Sequence, residues 1–147
     1  MATNRRLLRG VDPSAVFDVL RDGRTYGNWV VGASVRAQDP GWPEQGTRLH
    51  YRVGWNPLRK DDKTVSLAYE PDRRLELEAV AWPVGTARIV LTAEPTAEGT
   101  VVTLVEHPAR GIAARLHNPA ADLLVKVRNV ETLRRLEREV RRRSAPA

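Results

Sequence analysis

Glu106 and His107 stand side by side near the end of a strand-like run, and no other pair in the chain is so well placed to move a proton. Strand alternation sets Val102, Leu104 and Glu106 on one face and Val101, Thr103, Val105 and His107 on the other, so whichever face is buried carries one ionisable group. Both faces are apolar, and periodicity alone does not choose between them. A plainer role for Glu106 is to pair with an arginine or to cap backbone N–H groups of the loop that follows. Other chemistry is thinly represented. His50, His107 and His117 are the only histidines, none lies four residues from another, and there is no cysteine. A metal site would need unrelated partners brought together by folding, so none is expected. Ser14, Ser34, Ser66 and Ser144 lack the flanking glycines of a nucleophile elbow, and no glycine-rich loop opens a helix as nucleotide phosphates require. No cofactor is expected.

The 147 residues suffice for one domain with its own core. No apolar run approaches a membrane span, and the first ten residues lack the apolar core of a signal peptide, which points to a cytoplasmic protein. The net charge is +6, and all 24 basic residues except Lys60, Lys63 and Lys126 are arginines. Such a balance raises the question of nucleic acid. The densest cluster, Arg134, Arg135, Arg138 and Arg141 to Arg143, has no interleaved aromatic to stack on bases, and cations suit the end of a helix. A solvated helix end is therefore preferred over a nucleic-acid surface, and removing Arg141 to Ala147 is expected to leave the fold intact.

Those residues need elements to position them. Asn118 and Pro119 form a cap-and-proline start for a long helix from Asn118 to Arg143, in which Leu123, Val127, Val130, Leu133, Leu136 and Val140 recur at three- and four-residue steps. Asp12 and Pro13 repeat the signal for a short helix bearing Val16, Val19 and Leu20, and a second short turn carries Tyr26 and Trp29. A weak first strand runs from Arg5 to Val11. From Gly32 the period changes to two. Thr47, Leu49, Tyr51, Val53 and Trp55 share one face, followed by Val65, Leu67 and Tyr69, then Leu75, Leu77, Ala79 and Ala81, then Ala87, Ile89 and Leu91. Short turn-forming breaks suit an antiparallel meander. Trp42, Trp55 and Trp82 fall at strand ends or in loops, as core or as rim.

This order, with Asp12, Pro13, Val16, Phe17, Tyr26 and Trp29, then Gly46 and Thr47, Gly99 and Thr100, Glu106, Pro108 and Gly111, and Arg128, Asn129, Thr132 and Leu133, resembles the START-like (SRPBCC) superfamily. It is most similar to small bacterial proteins of polyketide cyclase or dehydrase type. The resemblance implies an α+β helix-grip fold: a curved antiparallel sheet of six or seven strands wrapped around one long C-terminal helix, with two short helices after the first strand. It covers residues 1–143 as a single domain and leaves Ser144 to Ala147 as a disordered tail. It implies a cavity between sheet and helix, lined by Trp29, Tyr51, Trp55, Tyr69, Leu77, Leu91, Leu104, Leu123 and Val127. It also implies that the Val102 and Leu104 face points inward, which sets Glu106 at the cavity edge beneath the 108–117 loop. There a carboxylate would suit proton transfer unless Arg115 or another cation pairs with it, and His107 would inherit the role if Glu106 pointed outward. The expected partner is a small hydrophobic, polyketide- or lipid-like molecule. An enzyme cyclising or dehydrating a substrate in the same cavity, and a regulatory module without a ligand, are the alternatives. Monomer and dimer both remain open.

Overall fold

Pro13 and Pro119 each stand first in a helix, where a missing backbone N–H leaves no hydrogen bond unmade. The computed structural model describes residues 2–30, 33–53, 60–81, 85–110 and 119–144. Strand β1 (Ala2–Arg9) leads into α1 (Pro13–Arg21), a 3₁₀ turn (Gly23–Thr25) and α2 (Tyr26–Trp29). Six strands follow: β2 (Ala33–Gln38), β3 (Arg48–Val53), β4 (Lys60–Glu70), β5 (Arg74–Ala81), β6 (Gly85–Thr96) and β7 (Gly99–Arg110). The long helix α3 (Pro119–Ser144) closes the chain. All strands pair antiparallel in one seven-stranded sheet of order β1-β7-β6-β5-β4-β3-β2. The meander carries the chain back to β1, which pairs with β7. At about 1.5 Å per residue α3 extends roughly 39 Å, enough to cross seven strands at about 4.8 Å each. The expected helix-grip architecture is the one observed. Ser144 belongs to α3, and Ala145 to Ala147 lie outside the described residues, as does the expected cap Asn118.

Val16, Phe17, Val19 and Leu20 of α1 are buried against Leu8, Leu75, Leu77, Leu91 and Val102 of the sheet and Leu133, Leu136 and Val140 of α3. This half of the interior is aliphatic apart from Phe17, and its side chains are almost fully buried. Trp42 is also core, its indole Nε1 donating to the Leu20 carbonyl at 3.2 Å, while Trp55 and Trp82 lie outside the described residues.

Strand β4 departs from its expected facing. Thr64 and Ser66, not Val65 and Leu67, are fully buried. Thr64 lies opposite Leu49 and Ala79, and Ser66 lies opposite Leu77, all inward residues. The pairing then skips from Ser66 to Ala68, leaving Leu67 as the extra residue of a β-bulge. A bulge of one residue reverses facing, and so Tyr69 returns to the inner side opposite Leu75.

The end of α3 is tied down. Arg143 Nη1 donates to Asp22 at 3.0 Å, Arg141 donates to Glu137 and to the Arg9 carbonyl, and Arg142 donates to Glu139. These arginines are exposed, as expected of a solvated helix end, and also paired, so truncation at Arg141 removes contacts as well as charge. The Arg24 guanidinium, with Arg143 beside it, holds the Asp22 carboxyl down at about 2.

Two measurements test this frame. Gly99 has φ 150°, and an added Cβ would stand 2.1 Å from the Leu8 carbonyl oxygen. Gly99→Ala should therefore lose at least ~2 kcal/mol in urea unfolding; an unchanged midpoint would show that β1 can move aside. Because the Asp22 carboxyl is depressed, its contribution is present above its ordinary value near 3.8 and is lost as pH falls toward about 2. Asp22→Asn should lower stability by about 1 kcal/mol or less at neutral pH, with the gap closing in acid. A gap independent of pH would assign the loss to capping alone.

Candidate functional site

Toward the start of α3 the interior changes character. Its inward positions here are Asn129 and Thr132, both buried, in place of the leucines and valine of the last turns. Glu106 on β7 faces them and is 8% exposed, on the same side as Val102 and Leu104. One Arg128 nitrogen, Nη2, donates to both Glu106 oxygens, at 2.6 Å to Oε1 and closer still to Oε2. Asn129 Nδ2 donates to Oε2 at 3.1 Å. A buried carboxylate is tolerable only when paired and hydrogen-bonded, and adjacent residues of α3 supply both needs. His107 is half-buried on the other face, paired across the sheet with Arg88.

A second polar group stands on β3, β4 and α2. Tyr26 Oη meets Thr64 Oγ1 at 3.3 Å, Thr64 Oγ1 donates to Tyr51 Oη at 3.2 Å, and Tyr51 Oη donates to the Lys63 carbonyl at 3.4 Å. One direction satisfies every donor: Tyr26 to Thr64 to Tyr51 to backbone. The Tyr26 and Tyr51 rings stack at 5.4 Å, and Trp29 sits edge-on to Tyr26 at 5.1 Å. Burial pushes the Tyr26 phenol far up, Tyr51 and Glu106 add to the shift, and Thr64 and Arg128 oppose it. Tyr26 therefore stays neutral and serves as a hydrogen-bonding group. The small side chains of Ala79 and Ala87 lie opposite each other on the inner face of β5 and β6.

The expected lining is only partly assembled. Trp29, Tyr51, Leu77, Leu91 and Leu104 are buried together in the core. Tyr69 is half-buried at the other end of β4, where its hydroxyl accepts from Arg21 at 3.2 Å. Trp55 and Arg115 lie outside the described residues. Leu123 and Val127 do not line the interior: they are 62% and 61% exposed, as are Leu124 and Val130 in large part. At 100° per residue, a helix that turns Asn129, Leu133, Leu136 and Val140 inward must carry Leu123, Val127 and Val130 round to its outer side. The expected stripe joins two different faces. Asp62, Thr64 and Ser66 are not apparent as inward residues from sequence because alternation favours Val65 and Leu67, and Arg128 and Asn129, though among the residues that carry the resemblance, have no site role legible there. A surface depression lined by Asp12, Ser14, Asp72, Arg73 and Glu94 lies at the opposite end of the sheet and shares no residue with this cluster. Among the described residues no three His, Asp or Glu side chains converge as metal ligands, and no helix is long and apolar enough to cross a membrane.

A curved antiparallel sheet gripping one long helix, with a polar cluster set into its interior, defines a helix-grip protein. The chain belongs to the family described as polyketide cyclase / dehydrase and lipid transport, whose model matches residues 5–141. Among solved structures it is similar to protein NE0264 of Nitrosomonas europaea, at 14% identity over 96% of this chain and 94% of that one, TM-score 0.70. It is likewise similar to Ara h 8.0201, at 13% identity over 94% and 95%, TM-score 0.70. DynU16, from the dynemicin biosynthetic locus, matches at 18% identity and TM-score 0.67, over 93% of this chain but 45% of its own. At such identities the likeness is one of fold. No curated protein matches the sequence.

Removing one partner of the Glu106 pair should be costlier than neutralising the carboxylate. Arg128→Met leaves a buried charge and should cost roughly 2–3 kcal/mol in urea unfolding, less than for a fully enclosed pair because Arg128 is 44% exposed. Glu106→Gln keeps an acceptor for Asn129 and should cost about 1 kcal/mol. Equal losses would mean that water already solvates the carboxylate.

Proposed function

We propose that this protein binds a small, largely apolar molecule carrying oxygen substituents, between the sheet and the first half of α3. The observation that carries this is the division of the interior. One half is filled by leucine, valine and phenylalanine, whereas the half toward the start of α3 holds Tyr26, Tyr51, Thr64, Glu106 and Asn129 around the small Ala79 and Ala87. A core built only for stability gains nothing from ordering so many buried polar groups. An apolar site with a few convergent polar groups is the usual form of a small-molecule pocket. Family membership supports this reading, since cyclase, dehydrase and lipid-transport roles all place an apolar molecule in the protein.

A catalytic reading is favoured by one further observation. Glu106, held by Arg128 and Asn129, lies close enough to the neutral Tyr26 phenol for its charge to be felt there. A carboxylate and a phenol are sufficient for cofactor-independent proton transfer in a cyclisation or dehydration, with Glu106 as base and Tyr26 turning its O–H from Thr64 to a developing oxyanion.

Nile red, a neutral dye, tests binding directly. Its fluorescence should rise on addition of the protein and saturate at one equivalent. Ala79→Phe and Ala87→Phe, which put a ring beside the cluster, should weaken it at least ~tenfold, or about 1.4 kcal/mol, while circular dichroism stays native. Folded variants that bind as well as wild type would place the dye elsewhere and end this reading. For catalysis, Glu106→Gln should keep ligand binding and lose turnover; an unchanged rate would remove Glu106 from the chemistry.

A further inference from the structure

Among the described residues four buried side-chain atoms lack a partner, Asn4 Oδ1, Trp29 Nε1, Asp62 Oδ2 and Thr86 Oγ1, and two of these belong to the aromatic cluster of the ligand half. Trp29 is 5% exposed, yet its indole Nε1 is buried and donates to nothing. Asp62 accepts from the Lys63 backbone N–H through Oδ1 at 2.9 Å, while its Oδ2 is buried and accepts from nothing. Their neighbours behave differently: Tyr26, Thr64, Tyr51, Glu106 and Asn129 all pair. Leaving a buried donor or carboxylate oxygen unpaired forfeits its hydration with nothing in return, and native structures keep such groups for a reason. The two also belong to one place. Asp62 lies opposite Tyr51 in the β3–β4 register, two residues before the inward Thr64. Tyr51 stacks on Tyr26, and Trp29 meets Tyr26 edge-on, so an aromatic wall two rings deep joins the orphan donor to the orphan acceptor.

We infer that Trp29 Nε1 and Asp62 Oδ2 are ligand contacts, and that they select a neutral ring compound bearing a carbonyl for Trp29 and a free hydroxyl for Asp62. The charge balance points the same way. Among the described residues of this half, Asp62 and Glu106 are two carboxylates against the single guanidinium of Arg128, which Glu106 already occupies. A fatty-acid carboxylate would enter beside the like charge of these two, whereas a phenol would donate to Asp62 in a charge-assisted bond. This rests on ligand binding as proposed, and it divides that broad class by polarity and charge.

Three tricyclic probes separate the contacts: anthracene with no polar atom, anthraquinone with acceptors only, and a dihydroxyanthraquinone with acceptors and free hydroxyls. Titrations are run at about pH 6, well below the ordinary phenol range. Wild type should bind anthraquinone about tenfold tighter than anthracene and the dihydroxy compound about tenfold tighter again. Trp29→Phe should erase the first gain and Asp62→Asn the second, each gain being read as the ratio to the same variant's own anthracene affinity. Palmitate should compete poorly with wild type and better with Asp62→Asn. Equal affinity of wild type for all three probes, or gains that survive both substitutions, would overturn the assignment while leaving ligand binding intact. No binding of any probe would instead refute the ligand site and this assignment together. If Trp29→Phe does not fold, Asp62→Asn and the palmitate competition still decide.

Discussion

A carboxylate on the inner face of the last strand must be neutralised, and that requirement sets how the long helix lies. Glu106 is met by Arg128 and Asn129, consecutive residues of α3, and so the helix can take only a rotation that points Asn129 at β7. With Asn129 fixed, the 3.6-residue period brings Thr132, Leu133, Leu136 and Val140 inward and closes the aliphatic half of the core. The same rotation leaves Leu123, Leu124, Val127 and Val130 as an apolar row on the outside. Their exposure follows from the ion pair and needs no separate cause.

At the far end of α3 a different set of charges performs the matching task. Arg6 donates to Glu137 from β1 at 2.6 Å, and Arg143 reaches Asp22 below α1. Burial acts to raise the Glu137 carboxyl, and Arg6 and Arg141 outweigh it and hold it below its ordinary range. The helix is thus oriented by polar contacts at its middle and end, while apolar burial supplies the bulk of the stabilisation between them.

How much of this was legible in the sequence varied by element. The helix starts were plain because proline and its preceding cap residue have one sensible place. The meander was plain too, since alternation in β3, β5 and β6 agrees with the turns between them. Glu106 was recognised as the ionisable residue of the Val102 and Leu104 face, and of the partners left open, Arg115 of the loop or another cation, it is Arg128 of the helix that meets it. Two parts were hidden for physical reasons. In α3, three- and four-residue steps can be chained along more than one face of a helix, and the chain chosen drifts from inside to outside within two turns. In β4, Val65 and Leu67 outweigh Thr64 and Ser66 in any hydrophobic count, and nothing local announces a bulge. Asp62 was missed with them, because its facing depends on the same register.

That bulge has a further consequence for how such an interior changes over time. The polar lining contributed by β4 does not depend on its residues alone. It depends on one surplus residue at Leu67 that lets the two ends of the strand keep opposite parity. Taking that residue into the regular ladder while holding the β4–β5 turn would turn Lys63 and Val65 toward the helix and send Asp62, Thr64 and Ser66 to solvent, whereas deleting it would leave their facing unchanged. Gain or loss of a bulge within one strand, more than point substitutions across it, is then the step by which proteins of this shape can exchange a polar interior for a greasy one while keeping their outline.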